Sequence, residues 1–507
     1  MNKSILSSTV KVSIILFIIK LLGAIKQSII ASIGGTTLET DAYFIATGVV
    51  SAFCVVFFSA ISITLLSMYS ECLVDFGRDE ANGLITASIY ILVPVAAVLS
   101  TVFSSFSKIV AKILAPSYTG AQLSTLAGYL QIMAVMFVFT CYYLIINVTL
   151  EANKQFLPGK FQSLFQNLFV IIAALTLYEK IGVQVLLYAF LLAGVVQCIQ
   201  ITWNARKIFK IRSCSKRNFQ SVKQLLAIAF PLIVGNAIYE INDIVDKQIS
   251  SGLGEGSVSV LSYGASINEI VTTLIVSSVT TVLFSHYATW AAEGKKHEIE
   301  NNLKQSIKYL LLLILPVMIV CLICGDYIIR VLYGRGSFDD TSVRRTTGVV
   351  IGYAIGFFFQ AARANIVKVY YAFQDTKTPM KNGAIAVATN VTLSLILSRF
   401  LGIAGIALST SLAMILVTLL LIRDIKKFFP EFSLKSEYKE YCKMLIVTIF
   451  VSTLAFVMKK LLPIHYFVSL IIIGCFVVAL YILLCFAFNV RSARHMLALV
   501  FHQVRKK

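Results

Sequence analysis

Long apolar stretches alternate with short polar ones along almost the whole chain, and each stretch is near the roughly 20 residues a helix needs to cross a bilayer. Fourteen such segments are predicted, at about residues 10–33, 42–70, 84–112, 122–150, 160–178, 181–205, 224–250, 257–290, 308–332, 346–373, 380–400, 402–423, 443–461 and 463–489. The expected fold class is an all-α polytopic membrane protein. The first segment carries Lys20 and Lys26 inside its apolar stretch and lacks a convincing cleavage site, so it reads as a span and not as a cleavable signal peptide.

Composition agrees with this pattern. Hydrophobic residues make up 58% of the 507 and charged residues only 13%, against about 25% charged in a soluble domain. The balance is basic, 44 Lys and Arg against 24 Asp and Glu. In a soluble protein that excess would suggest nucleic acid. Here the basic residues fall mostly between apolar segments, where they set topology, and no nucleic-acid partner is expected. The positive-inside rule puts the N-terminus in the cytoplasm, and an even number of spans returns the C-terminus there. The densest basic stretch is Arg206, Lys207, Lys210, Arg212, Lys216, Arg217 and Lys223, between the sixth and seventh segments.

That stretch also divides the chain into two similar parts. Lys26-Gln27 opens a run ending at Gly34-Gly35, and Lys247-Gln248 opens one containing Gly252, Gly254 and Gly256. Pro158 and Pro379 each follow a short polar loop at the same offset, and Gly182 and Gly402 precede the sixth helix of each part. The expected organisation is a six-helix lobe over 1–220, a second over 221–428, and two further helices with a basic cytoplasmic tail over 429–507. Six is an even number, so the lobes would be parallel repeats, related by a pseudo-two-fold axis along the membrane normal around a central cavity.

A charged residue at a helix centre costs about 2.5–3.5 kcal/mol on insertion scales, so it is kept from lipid and marks a cavity or a pair. Lys20 shares a helix face with Gly23, Ala24 and Gln27, while Lys26 lies about 120° away at 100° per residue. In the seventh segment Asn236, Glu240, Asp243 and Lys247 form one polar stripe, and Asp243 to Lys247 is an acid-to-base i,i+4 pair in the favourable order. Asp246 lies off the stripe. Glu269, Arg363 and Lys368 also need internal partners. A cation or proton site facing a central cavity is the functional reading of the stripe, and a self-neutralising pair at a lobe interface is the bland one.

No P-loop, dinucleotide fingerprint, GxSxG or HExxH is present, so neither ATP-driven transport nor hydrolysis has support. No catalytic residue and no cofactor are expected. Cys321 and Cys324 form one CxxC in an apolar run without a second pair, a poor zinc or redox motif. The Asn-Val-Thr triplets at Asn147 and Asn390 fall in predicted spans.

Several stretches resemble a known family. Ile241-Asn242-Asp243-Ile244-Val245-Asp246-Lys247, followed by Ser251-Gly252-Leu253-Gly254-Glu255-Gly256-Ser257-Val258-Ser259, is similar to the seventh-helix signature of MurJ/MviN-type lipid II flippases. Tyr371-Ala372-Phe373-Gln374-Asp375-Thr376-Lys377-Thr378-Pro379 resembles their loop between helices ten and eleven. Leu332-Tyr333-Gly334-Arg335-Gly336-Ser337-Phe338 resembles their Arg-Gly-x-Phe element. Lys20-Leu21-Leu22-Gly23 and Thr40-Asp41-Ala42-Tyr43-Phe44 match near the N-terminus. The family belongs to the multidrug/oligosaccharidyl-lipid/polysaccharide exporter superfamily, and the resemblance covers nearly the whole chain.

The resemblance implies two helical bundles around a cationic cavity that takes the sugar–diphosphate headgroup of an undecaprenyl-linked peptidoglycan precursor, with the lipid tail along helices thirteen and fourteen. It implies a transporter in the bacterial cytoplasmic membrane that rocks between two access states, with cell-wall or polysaccharide synthesis enzymes as its neighbours. Lys20 and Lys26 would hold the diphosphate, standing where family members place Arg, so charge is kept and bidentate geometry lost. Asp41 and Glu269 would balance charge or close the gate, with Glu240, Asp243, Lys247 and Arg363 as further charge-balancing groups. A coupling ion, Na+ or H+, is implied at Asp246, Asn390 and Ser394, and membrane potential acting on the lysines is the other energy source. Two positions depart from the family pattern: Ser266 stands where a basic residue follows the Tyr of helix eight, here Tyr263, and residues 47–58 contain no Arg. The rival functions are a flippase for another lipid-linked polysaccharide unit, a cation-coupled drug antiporter of the same superfamily, and a non-transporting scaffold for cell-wall enzymes.

Overall fold

The chain folds into helices joined by short turns. The computed structural model describes residues 3–434, 437–462 and 464–496, and among these no strand occurs. Contacts divide it into two compact units. Unit 1 spans residues 1–259 together with 336–338. It holds α1 (Lys3–Gly34), α2 (Leu38–Cys54), α3 (Ala60–Asp75), α4 (Gly77–Ser105), α5 (Ser107–Leu114), α6 (Gly120–Ala134), α7 (Met136–Ala152), α8 (Phe161–Thr176), α9 (Tyr178–Ile181), α10 (Gln184–Ala205) and α11 (Lys216–Ser251). Unit 2 holds the rest of α12 (Ser257–Ala292), then α13 (Lys296–Leu332), α14 (Asp340–Ala354), α15 (Phe357–Ala372), α16 (Lys377–Leu401), α17 (Ile403–Asp424), α18 (Tyr438–Leu461) and α19 (Tyr466–Ala487).

Among the described residues eleven helices are long and apolar enough to cross a membrane. The pair α14 and α15, bent by 43°, makes a twelfth if it is one span. The protein is thus an all-helical polytopic membrane protein. Two of the fourteen expected segments stand apart from this set: α8 is only 16 residues long, and α12 carries side chains at 274–286 that lie outside the described residues. The seventh helix is longer than its apolar pattern, because a capping box at Ser215 and Asn218 starts it within the basic stretch and leaves Pro231 in its interior.

In unit 1 the span of α2 and α3 runs through a π-helical turn at Val55–Ser59. Helix α11 packs on α2, α3, α4 and α5, so contacts divide the chain after residue 259. The boundary expected at 220/221 expresses sequence recurrence, a different quantity from packing. The two glycines which that recurrence aligns, Gly182 and Gly402, both take positive φ, at 72° and 58°, at the end of a helix.

In unit 2 the two last helices pack on α13 through narrow stripes. Met444, Val447, Val451 and Ala455 of α18 are buried, as are Ile473, Val477, Tyr481 and Cys485 of α19. Their other faces expose Ile446, Ile449, Phe450, Ile471 and Ile482. In lipid such exposure carries no hydrophobic cost, and close packing of the stripes holds the helices together. Helix α13 breaks at Cys324, where φ and ψ leave the helical region, and beside the break Lys459 Nζ donates to the Ile323 carbonyl at 2.7 Å and to Asp326 at 2.6 Å. Another buried cluster groups Tyr287, Tyr370, Phe429 and Phe432 with Leu303 and Ile307 of α13, Val369 of α15 and Val417 and Leu421 of α17.

Candidate functional site

Lys20 and Lys26 both lie well inside α1 and are half-buried. Helix α8 crosses the face that carries Lys20: Asn167 Nδ2 donates to the Ile19 carbonyl at 3.1 Å, and a Cβ on Gly23 would sit 3.6 Å from that nitrogen. A glycine one turn from the first lysine therefore lets a polar side chain of α8 approach α1.

The stripe on α11 is realised as a specific contact. Lys247 Nζ donates to Asp243 Oδ2 at 2.6 Å, with Lys247 13% and Asp243 57% exposed. The lysine is the more buried partner because it lies across α2 at Gly48, where a Cβ would come within 2.0 Å of Nζ. Gly48 is thus a slot for the ammonium group. Asn236 and Glu240 are half-buried further down α11. Asp246, off the stripe, is buried; it accepts from Asn242 Nδ2 at 3.4 Å, and its backbone carbonyl accepts from the Ser250 hydroxyl at 2.7 Å.

Asp41 is fully buried in the first turn of α2, which a capping box at Thr37 and Thr40 begins. Its Oδ1 accepts from the Ser259 backbone N–H at 2.7 Å and from the Ser259 hydroxyl at 2.6 Å. Leu38 N–H donates to Glu255 at 3.3 Å. Gly256, at φ 75°, lies so near the Thr36 carbonyl that a Cβ would be 2.2 Å from it. Tyr118, in the turn before α6, is pushed well above the usual phenol range by burial and then by the Asp41 carboxylate beside it, with a smaller push from Glu255.

The Arg-Gly-x-Phe element reaches the same end of unit 1. Ser337 donates from its backbone to the Ser32 carbonyl at 2.7 Å and from its hydroxyl to the Ile33 carbonyl at 3.1 Å. Gly336, at φ 61°, allows this approach, since a Cβ there would lie 2.1 Å from the Ser32 carbonyl. Four sequence stretches singled out above therefore meet at the end of α1 and start of α2. The roles of Ser259 and Tyr118 were missed from sequence; the glycines flanking Ser259 were the available signal.

In unit 2, Glu269 is exposed on α12 and Arg363 is half-buried on α15. Ser266 bonds the Tyr333 hydroxyl at 2.8 Å, and the Tyr263 and Tyr333 rings lie 5.1 Å apart. Ser266 is thus a neutral hydroxyl held beside the two tyrosine rings. Asn390 and Ser394 are buried on one face of α16, and the Ser394 hydroxyl donates to Asn390 Oδ1 at 3.3 Å. Among the described residues no group of three His, Cys, Asp and Glu side chains is placed to hold a metal ion.

The 371–379 motif acts as a staple. Asp375 accepts from the Thr378 backbone N–H at 3.1 Å and pairs with Lys427, which also donates to the Thr378 hydroxyl at 2.6 Å. It thereby ties the start of α16 to the chain just beyond α17. Burial alone would raise the Asp375 carboxyl; Lys427 and the Thr378 hydrogen bonds outweigh it and hold the group below the ordinary carboxylate range.

Comparison with known proteins gives one consistent result. The family profile described as "Lipid II flippase MurJ" matches residues 30–477. A probable lipid II flippase MurJ from Rhizobium meliloti (strain 1021) is 26% identical over 405 residues, covering 76% of this chain and 74% of that one. One from Thermotoga maritima is 24% identical over 421 residues, covering 81% and 84%. A solved structure of lipid II flippase MurJ in an inward closed conformation shares the fold, with a TM-score of 0.81 at 23% identity, covering 92% of this chain and 97% of that one.

Proposed function

Because the chain belongs to the lipid II flippase MurJ family, we propose that it moves an undecaprenyl-diphosphate-linked saccharide, lipid II, from the inner to the outer leaflet of the bacterial cytoplasmic membrane by alternating access. The family match over residues 30–477 carries this reading. The protein is a transporter and catalyses no covalent step. Its repeats are the lobes 1–220 and 221–428, followed by the two helices of 429–507, and both termini face the cytoplasm.

The side chains supply suitable chemistry. A diphosphate leaving water needs positive partners, and in a low-dielectric site each is worth far more than at the surface. Lys20 and Lys26 are half-buried cations inside a span, and they hold the diphosphate. Asp41, with its two hydrogen bonds from Ser259, is a latch that releases as access changes. Glu240, Asp243, Lys247, Glu269 and Arg363 balance charge around the transport path. Asp246 is the carboxylate for a coupling cation, Na+ or H+, and cell-wall synthesis enzymes are the neighbours that make and use the substrate. The neutral Ser266 and the absence of Arg from residues 47–58 favour a second reading, a flippase for a different lipid-linked saccharide.

Complementation in a bacterium depleted of its own lipid II flippase tests the reading. Wild type is expected to restore growth, and Lys20→Ala/Lys26→Ala to fail at equal membrane level. Failure of a well-expressed wild type would transfer the assignment to another lipid-linked glycan. Rescue by both would remove the two lysines from the transport path.

A further inference from the structure

Unit 1 contains a cavity of about 250 Å³ whose wall is mostly apolar, with polar but no charged side chains set into it. Hydrogen-bonding side chains come from four elements: Ser51 on α2, Ser59 in the π-helical turn, Thr140 on α7, and Gln162, Ser163 and Gln166 on α8. The last three sit on two successive turns of one helix, Gln162 and Ser163 on the first and Gln166 on the next. Val50, Met136 and Phe190 give the cavity apolar walls. Its floor is buried, with Val50 and Met136 at 1% and 3% exposure, while Ser51 and Ser163 are exposed at its mouth. Among the described lining residues none carries a formal charge, in a chain whose net charge is +20.

A second observation marks the same place. The π-helical turn runs from Val55 to Ser59, and both of these end residues line the cavity. Such turns insert a residue into a helix and recur at functional sites.

The wall chemistry selects among occupants. A diphosphate would find no cation here. A lipid chain would lay its methylenes against the Gln162 and Gln166 amides and the Ser163 hydroxyl, and could not meet their hydrogen-bonding capacity. One bound water needs only about 30 Å³. An uncharged ring bearing hydroxyl and amide groups fits: Ser and Thr hydroxyls both donate and accept, each Gln side chain does the same, and the apolar wall meets the C–H face of the ring. The volume is below the roughly 300–1,000 Å³ of sites for drug-sized ligands, so it suits one ring and not a chain of them.

We infer that this cavity is the subsite for one sugar ring of the lipid-linked saccharide, distinct from the lysines that hold the diphosphate. The inference rests on the flippase reading above and adds the group that the protein recognises besides the diphosphate. Saccharide specificity would then reside in neutral side chains of α2, α7 and α8.

Binding to the purified full-length protein in nanodiscs tests it, with lipid II and undecaprenyl diphosphate as separate probes. Two variants are compared with wild type: Gln162→Leu/Gln166→Leu, which removes hydrogen bonds, and Ser163→Trp, which fills the cavity from its exposed mouth. Both are expected to weaken lipid II binding about tenfold, the loss of one or two net hydrogen bonds. Both should bind undecaprenyl diphosphate as wild type does, which also reports that they are folded. Lipid II binding as tight as wild type in both variants would overturn the inference and leave the cavity to water. Equal weakening toward both lipids would overturn it as well, since the effect would not concern the sugar. A wild type that binds neither lipid overturns the flippase reading itself, and the cavity assignment with it.

Discussion

Lys247 illustrates how a single glycine fixes the position of a charge. Its ammonium group occupies the space that a Cβ at Gly48 would take, and from there it reaches Asp243 at 2.6 Å. An alanine at 48 has two opposed effects. It favours the α2 helix by up to about 1 kcal/mol, and it displaces Nζ from its slot. Because Asp243 is 57% exposed, the ion pair itself contributes about 1 kcal/mol or less; the larger loss comes from moving a half-buried ammonium. Gly48→Ala is therefore expected to lower the thermal unfolding temperature of the otherwise wild-type protein in detergent. In a Lys247→Ala background the same change should raise it, since only the helix-favouring effect survives. A change of the same sign in both backgrounds would show that Gly48 is not the lysine's slot.

At the level of elements, the staple formed by Asp375 joins the start of α16 to Lys427 beyond α17, and it has a pH signature. The folded-state pKa of Asp375 is lowered from its usual 3.8. A carboxyl whose folded pKa is depressed contributes stability above its unfolded pKa, about 3.9, and loses it as pH falls through the folded value. The stability difference between wild type and Asp375→Asn should stay constant from neutral pH down to about 5 and shrink below about 4. Unfolding scans across pH measure this, and a difference that persists unchanged to pH 3 would rule out the charged staple.

The elements also separate what the chain announces from what only packing decides. Hydropathy and the i,i+4 spacing of Asp243 and Lys247 are local signals, so the spans and the stripe on α11 were legible directly. The partner of Asp41 was not: Ser259 is 218 residues away, and no periodicity connects them. Their meeting depends on Gly256 and Gly336 allowing backbones to approach, which the sequence marks only as glycines in loops. The π-helical turn at Val55–Ser59 and the break at Cys324 have no proline to announce them. The cavity beside the π-helical turn went unread for a similar reason. Its polar residues are neutral Ser, Thr and Gln positions spread over α2, the π-helical turn, α7 and α8, with no charge to mark them.

For the whole molecule the decisive property is orientation, because it fixes the direction in which the membrane potential acts. Arg206, Lys207, Lys210 and Arg212 are exposed on the connection between α10 and α11, and Lys216 and Arg217 in the first turn of α11; this is the densest basic stretch of the chain. Loops of this kind are retained in the cytoplasm. A bacterial membrane is negative inside, and each unit charge crossing it changes energy by about 2.3 kcal/mol per 100 mV. An anionic headgroup leaving the cytoplasm therefore moves downhill in this field, provided the basic connection lies inside. In a cysteine-free background, Ser213→Cys on that connection should react with a membrane-impermeant maleimide only after the cells are permeabilised. Thr119→Cys, in the turn before α6, should react in intact cells. The opposite pattern would place the basic stretch outside and reverse the sense in which the potential drives the substrate. With the expected pattern established, collapsing the potential in proteoliposomes of that orientation should slow outward movement of the diphosphate-linked lipid. An unchanged rate would assign the driving force to a coupling cation, with Asp246 as the carboxylate to substitute.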